Sequence, residues 1–423
     1  MSLIGSLTVG RDKSITHRAI ILSSLSKGTT RIRHPLLGAD CLSTLTIFKQ
    51  LGVKANVGAD EIVIESPGVS GFNDGPQCFD AGNSGTTARL LMGVFSALAA
   101  SYEVIGDESL SKRPMKRVTV PLSLMGANIT LTDDKYLPAR IKGQPLIGMS
   151  YTLPVASAQV KSAILFASLF AEGKTTVHEP VQTRDHTEKM FEAFKIDYNK
   201  VNETIEIQGP QSPKTPGEVW VPCDISSAAF FIVAALIVKG SRILIKEVGL
   251  NETRCGIIEV VQRMGGQITI ENERYFGGEK VGDLIVTYSQ DLKGITIENE
   301  LIPRLIDEIP IIALLAAFAK GQTIVKDAEE LKVKETNRID VTVSELQKIG
   351  IQIEATADGM IIQGNQEQEI KTAHVSSHGD HRIAMMLSIA SLCAAHPLAI
   401  EGLEAMNISY PQFLNDLNSL KQN

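Results

Sequence analysis

Apolar and polar positions along this chain follow two interleaved phrases. The first is the end of an apolar helix, a glycine, a strand with β-branched residues near period two, a polar turn and a return strand. It recurs five times. Residues 48–52 lead into 53–57 and 61–65, 122–126 into 127–132 and 139–143, and 191–195 into 196–200 and 203–209. Further on, 260–266 lead into 267–271 and a longer second limb, and 346–350 into 351–355 and 359–364.

The second phrase is a small or acidic residue opening an almost wholly apolar helix. It occurs at Ser14 (15–25), Ser84 (86–99), Ser157 (159–170), Ser226 (228–238), Glu308 (309–319) and Asp380 (383–394). Helices apolar on most faces must be enclosed by other elements. Six starts spaced about 70 to 80 residues apart signal structural repeats. The pattern predicts an α/β protein of six βαβαββ units, three in each of two domains. The tract 209–217 is rich in Pro and Gly and reads as a loop, so the halves divide near Asp224. A ligand cleft between the halves is the expected consequence.

Composition narrows the function classes. With 423 residues, two domains are expected, and a net charge of −7 leaves no overall basic footprint for nucleic acid. The five cysteines are scattered, without CxxC spacing, which suits a reducing cytoplasm and argues against a zinc site. No apolar run reaches the roughly 18 residues of a membrane helix, and no signal-peptide pattern opens the chain.

Cations gather at the helix starts and in loops. Lys13 and Arg18 flank the first start, and Arg89 follows the glycine-rich turn Asp80-Ala81-Gly82-Asn83-Ser84-Gly85-Thr86-Thr87 at the second. Arg382 lies in the sixth, and further clusters occupy 111–117, 183–186 and 332–338. Helix N-termini with arginine forks suit phosphates and carboxylates. Taken singly, each cation reads first as a solvated surface charge; their equivalent places in the repeat favour a shared basic pocket. Two acidic positions stand apart. Asp307-Glu308 lies between apolar stretches, and Glu335 lies between Lys334 and Arg338. Either is able to move protons or simply to form ion pairs. Gly173-Lys174-Thr175-Thr176 lacks the upstream glycine of a phosphate loop, and His378 with His381 lacks further ligands for a metal.

At these same residues the chain closely resembles the 3-phosphoshikimate 1-carboxyvinyltransferases, or EPSP synthases, over nearly its whole length. The resemblance rests on 12–18, 82–89, 112–115, 157–159, 184–187, 305–310, 334–338 and 380–382. Ala158 after Ser157 is similar to the bacterial subgroup associated with glyphosate tolerance. The resemblance implies a two-domain inverse α/β barrel with its active site in the interdomain cleft. Residues 12–224 form one domain, and 1–11 join 225–423 in the other. It implies transfer of the enolpyruvyl group of phosphoenolpyruvate to the 5-hydroxyl of shikimate 3-phosphate through a tetrahedral intermediate, in a cytoplasmic enzyme of aromatic amino-acid biosynthesis. No metal or organic cofactor is implied, and a monomer acting on these two small molecules, with no nucleic acid or membrane partner, is expected.

By that resemblance Asp307 takes the hydroxyl proton, Glu335 protonates the methylene carbon and later removes a proton, and Lys13 serves the transferring group. Phosphoenolpyruvate falls to Lys13, Gly85, Arg113, Gln159, Arg338 and Arg382. Shikimate 3-phosphate falls to Lys13, Ser14, Arg18, Ser157, Ala158, Gln159, Thr183 or Arg184, Asp307 and Lys334. Gly10-Arg11 stands where the family usually has Pro-Gly, and Ile408 stands where some members carry a phosphate-binding lysine. A UDP-N-acetylglucosamine enolpyruvyl transferase is the related alternative, but its loop cysteine has no counterpart in 107–117. A non-catalytic phosphometabolite-binding protein is the other; it would need neither Asp307 nor Glu335.

Overall fold

Two separate apolar cores form, one in each of two compact units. The structure, a computed structural model, describes residues 1–73, 75 and 77–422. One unit consists of Asp12–Val221 with Phe276–Glu279; the other consists of Met1–Arg11, Pro222–Tyr275 and 280–422. Pro222, Cys223 and Asp224, expected in the first half, lie in the second unit. There the Cys223 N–H donates to Glu247 O (2.8 Å), the Asp224 N–H donates to Gly10 O (2.9 Å), and Arg254 binds the Asp224 carboxylate at 3.0 Å.

Each unit holds three repeats of one plan: a strand, a buried helix, a second strand parallel to the first, another helix and a hairpin. The buried helices are α1 (Lys13–Leu25), α2 (Gly85–Phe95) and α3 (Ala158–Ser168) in the first unit. In the second they are α4 (Ile225–Ile237), α5 (Ile309–Ala317) and α6 (His381–Ala390). The parallel pair of the second repeat, Gln77–Asp80 with Ser101–Ile105, shows the pattern, with Tyr136–Lys142 and Asn128–Thr132 completing its four-stranded sheet. The sixth repeat departs from the plan. Its pair His374–Ser376 and Ala399–Glu401 stands alone, and a 3-10 turn (Leu403–Ile408) and the helix Phe413–Leu420 replace the hairpin.

Two repeats take their opening strand from a distant part of the chain. Ser2–Leu7 pairs in parallel with Arg242–Gly249 and so opens the fourth repeat. Glu218–Trp220, a strand that the periodicity did not reveal, pairs in parallel with Gly28–Arg33 and opens the first. Three residues are too few to show alternation.

Two helix starts differ from expectation. Asp12 rather than Ser14 caps α1, accepting from the Ile15 N–H at 2.8 Å, and Asp224 rather than Ser226 caps α4, accepting from the Ser226 N–H at 2.9 Å. A carboxylate two or three residues ahead meets the exposed N–H groups of the first turn with a full charge. The core helices also stop short of the apolar runs: after Phe95 the chain tightens into 3-10-type bonds, Ala97 N–H to Val94 O and Leu98 N–H to Phe95 O. One close approach matters for the site. A Cβ on Gly93 would lie 2.1 Å from Ala163 O, so glycine lets α2 and α3 pack backbone to backbone. Among the described residues, no helix is long and apolar enough to cross a membrane.

Candidate active site

In the first unit the chemistry gathers at the starts of α1, α2 and α3. Ser84 caps α2 by accepting from the Thr87 N–H at 3.1 Å, which leaves Gly85 as the first helical residue. A Cβ on Gly85 would lie 3.3 Å from Arg89 Nη1 and 3.5 Å from Arg113 Nη1. Two guanidinium groups therefore flank a helix N-terminus, which is a strong setting for a small anion. Both are oriented by protein groups. Arg89 Nη1 donates to Gln159 Oε1 (2.6 Å), whose Nε2 donates to Thr86 Oγ1 (3.1 Å). Arg113 Nη2 donates to Asn83 Oδ1 at 2.9 Å.

At α1, Lys13 Nζ pairs with Asp40 at 3.1 Å and keeps about a fifth of its side chain exposed. Arg18 is buried and donates to Thr187 Oγ1 (2.7 Å), Ser162 Oγ (2.7 Å) and Ser14 O (3.0 Å), tying α1 to α3 and to the helix His186–Ala193. Ser157 caps α3 through the Val160 N–H at 3.4 Å, and Ala158 and Gln159 follow at partly exposed positions. Thr183 is buried: its N–H (3.1 Å) and its hydroxyl (2.9 Å) both donate to Glu179 Oε2. Its hydroxyl proton is thus committed to the protein, whereas Arg184 beside it is only half-buried.

In the second unit a buried guanidinium organises the acids. Arg338, 1% exposed, donates through Nε to Asp380 (2.7 Å), through Nη1 to Asp307 (3.2 Å) and through Nη2 to Glu335 (2.5 Å). Burial alone would lower the Arg338 pKa, but the carboxylates of Asp380, Glu335 and Asp307 outweigh it and raise the value further above its ordinary range. Burial likewise pushes the Asp380 carboxyl up, and the Arg338 charge reverses this, leaving it below its usual value. Asp307 also meets Lys334 at 3.5 Å and Arg382 at 3.9 Å, and Arg382 Nη1 donates to the Asp307 backbone carbonyl at 3.2 Å. Behind it, the fully buried Glu308 accepts from Ser226 and lies 3.6 Å from Arg382, while Arg254 Nη2 donates to Ser226 Oγ at 2.7 Å. Asp307 and Glu335 keep 12% and 21% of their side chains exposed, so both remain reachable by a ligand.

The structure thus assembles the expected residues as two sets. Lys13, Ser14, Arg18, Gly85, Arg113, Ser157, Ala158, Gln159, Thr183 and Arg184 lie in the first unit; Asp307, Lys334, Glu335, Arg338 and Arg382 lie in the second. Sequence reasoning missed the residues that orient these. Asp40 meets Lys13 across 27 positions, a pairing without a local signal. Asp380 appeared as a helix opener and within the 380–382 motif of the resemblance, but not as a partner of Arg338. Ser226 and Glu308 stood out as helix openers, and Glu308 also as half of an acidic pair, but nothing linked them to each other or to Arg254. Among the described residues, no group of three or more His, Cys, Asp or Glu side chains is arranged to hold a metal ion.

Six α/β repeats in two units, with cation-lined helix starts in one and an acid cluster on arginine in the other, define the architecture of this chain. That architecture is shared with the enolpyruvyl transferase NikO from Streptomyces tendae (TM-score 0.78, 17% identity, covering 99% of this chain and 95% of that one). The family model for EPSP synthase (3-phosphoshikimate 1-carboxyvinyltransferase) matches residues 1–417, and the chain belongs to that family. A 3-phosphoshikimate 1-carboxyvinyltransferase from Geobacillus thermodenitrificans is 52% identical over 420 residues, covering 99% of this chain and 97% of the relative. Its counterpart from Bacillus cytotoxicus is 50% identical over 419 residues, covering 99% and 98%. The EPSP synthase structure from Acinetobacter baumannii superposes with a TM-score of 0.88 at 42% identity, covering 99% and 96%.

Proposed function

We infer that this protein carries out the reaction for which its family is named. It is an enolpyruvyl transferase of the shikimate pathway of aromatic amino-acid biosynthesis, moving the enolpyruvyl group of phosphoenolpyruvate to the 5-hydroxyl of shikimate 3-phosphate and releasing phosphate. The observation that carries the assignment of roles is the single buried guanidinium of Arg338 holding Asp307, Glu335 and Asp380 together. Anion binding alone has no use for two reachable carboxylates there; acid–base chemistry does.

In the proposed reaction Asp307 accepts the 5-hydroxyl proton as that oxygen attacks the enol carbon of phosphoenolpyruvate. Glu335 delivers a proton to the methylene carbon, giving the tetrahedral intermediate. Glu335 then removes a proton from the new methyl group, the C–O bond to phosphate breaks and the double bond re-forms. Lys13, Arg113 and Arg382, with the α2 start at Gly85, neutralise the phosphate and carboxylate of the donor, and Gln159 and Arg338 complete its set. Ser14, Arg18, Ser157, Ala158, Gln159, Arg184 and Lys334 hold the acceptor, with Thr183 behind Arg184. The reading includes a monomeric, cytoplasmic enzyme needing no cofactor. Its five cysteines, scattered and without CxxC spacing, suit a reducing compartment.

The test is phosphate release from phosphoenolpyruvate by the purified protein. Release should require shikimate 3-phosphate, and Glu335→Ala should lower kcat by about 10²-fold or more, the usual scale for removing a positioned proton donor. Full activity in Glu335→Ala, or release without the acceptor, overturns the assignment.

A further inference from the structure

The most deeply buried charged cluster of the first unit is one that the reaction above does not use. Lys161, on α3 two positions beyond Gln159, has a fully buried side chain. Its Nζ lies 2.7 Å from Glu188 Oε1 and 3.1 Å from Glu179 Oε2, and it approaches the Thr183 backbone carbonyl at 3.5 Å. Glu179 follows the strand Gly173–His178, and Glu188 lies in the helix His186–Ala193. One ammonium therefore grips both ends of the connection 179–188. The same carboxylate of Glu179 accepts the N–H and the hydroxyl of Thr183 in the middle of that connection. On its far side, Thr187 is held by Arg18 and Ser162, each at 2.7 Å. Lys200, at 3.7 and 3.8 Å from the two carboxylates, is the second cation that balances them.

A buried ion cluster adds little net stability over an apolar replacement of similar shape, yet it fixes geometry, and breaking it leaves an uncompensated charge. We propose that Lys161, Glu179 and Glu188 form a positioning clamp that sets the 179–188 connection so that Arg184 meets the acceptor substrate. Thr183 is then a link in the clamp and not a substrate donor, because Glu179 takes its hydroxyl proton. The proposal rests on the assignment of Arg184 to the shikimate 3-phosphate site. The clamp touches neither reacting group, so it acts on acceptor binding and leaves the chemical step to the residues named above.

Steady-state kinetics of the full chain test it, with Arg184→Ala as the reference for the site. Lys161→Met, which keeps the stem and removes the charge, should raise KM for shikimate 3-phosphate about tenfold, with kcat and KM for phosphoenolpyruvate changed less than about threefold. Thr183→Val should shift the same constant in the same direction. Lys161→Met combined with Glu188→Gln, which removes the orphaned carboxylate while Glu179 still holds Thr183, should recover at least part of the loss. Equal effects of Lys161→Met on both KM values and kcat, alongside a lowered Tm, mean a merely structural lysine and overturn the clamp. A normal acceptor KM in Lys161→Met, with a raised one in Arg184→Ala, also overturns it. A normal acceptor KM in Arg184→Ala removes the site assignment itself, and the clamp's function with it.

Discussion

His17 shows how a single buried side chain can tie stability to pH. It lies in α1 between Lys13 and Arg18, fully buried, with Nδ1 2.8 Å from Thr44 Oγ1 and Nε2 without a hydrogen-bond partner among the described residues. Thr44 in turn meets Thr87 at 2.7 Å, which meets the Ser84 cap of α2 at 2.7 Å, so the neutral imidazole belongs to a hydrogen-bonded relay between the starts of α1 and α2. Burial lowers its pKa from 6.5 to about 3; Asp40 opposes this, and the Lys13 and Arg18 charges reinforce it. The folded state therefore keeps His17 neutral while the unfolded chain takes up a proton below about pH 6.5, so stability is full above that value and falls as the pH drops towards 3. The loss attributable to this residue approaches the order of 4 kcal/mol at the acid end. His17→Asn, which keeps a polar atom near Thr44, should flatten the pH dependence of urea unfolding between pH 6.5 and 4 relative to the native chain; an unchanged slope would remove His17 as its source. The sequence marked His17 only as a member of the 12–18 motif; its burial and its link to Thr44 carried no signal there.

At the level of elements, the crossing of α2 and α3 determines whether Arg89 reaches Gln159. Gly93 permits it, because any Cβ there would run into the Ala163 carbonyl, a backbone atom that cannot swing aside. Gly93→Ala should push the helices apart and destabilise the protein by roughly 1–3 kcal/mol, the usual cost of overpacking a core. It should also lengthen the 2.6 Å Arg89–Gln159 bond and so raise KM for phosphoenolpyruvate more than KM for shikimate 3-phosphate. Thermal unfolding and the two KM values check both parts, and a stable variant with native constants would show that the crossing has slack. Elements of this kind were largely legible. Five hairpins and six apolar helices followed directly from period-two and apolar runs, because burial writes those patterns into the chain. The helix openers were less so. Serine seemed the natural cap at Ser14 and Ser226, but an aspartate two residues earlier won in each case. That left the Ser226 hydroxyl to donate to Glu308. Contacts between distant side chains, such as Lys13 with Asp40 or Lys161 with Glu188, carry no periodic signature and emerged only in three dimensions.

At the scale of the whole molecule, the two units are not equally self-sufficient, and this follows from which strand each borrows. Asp12–Val221 contains all three of its sheets, including the opening strand Glu218–Trp220, so the chain closes its own first repeat before it leaves the unit. It lacks only Phe276–Glu279, where Glu279 bonds His186 at 2.7 Å and Phe276 lies 5.6 Å from Trp220 between ring centres. Residues 222–423, by contrast, lack Ser2–Leu7, the strand between Arg242–Gly249 and the C-terminal pair Lys421–Gln422. Removing it strips Leu3 and Leu7, both buried, from the second core and bares the edge of Arg242–Gly249. An apolar, unpaired edge is a template for aggregation. The periodicity alone suggested two symmetric halves; only the family resemblance placed 1–11 with the C-terminal half, because a six-residue strand at the chain start carries no sign of its partner. Expressed separately, residues 12–221 should be soluble and unfold cooperatively by circular dichroism. Residues 222–423 should be insoluble, and fusing 1–11 to them through a flexible linker should restore a soluble, cooperatively folding species. A well-folded 222–423 without that strand would mean that its sheet closes by another route and that the borrowed strand is dispensable for folding.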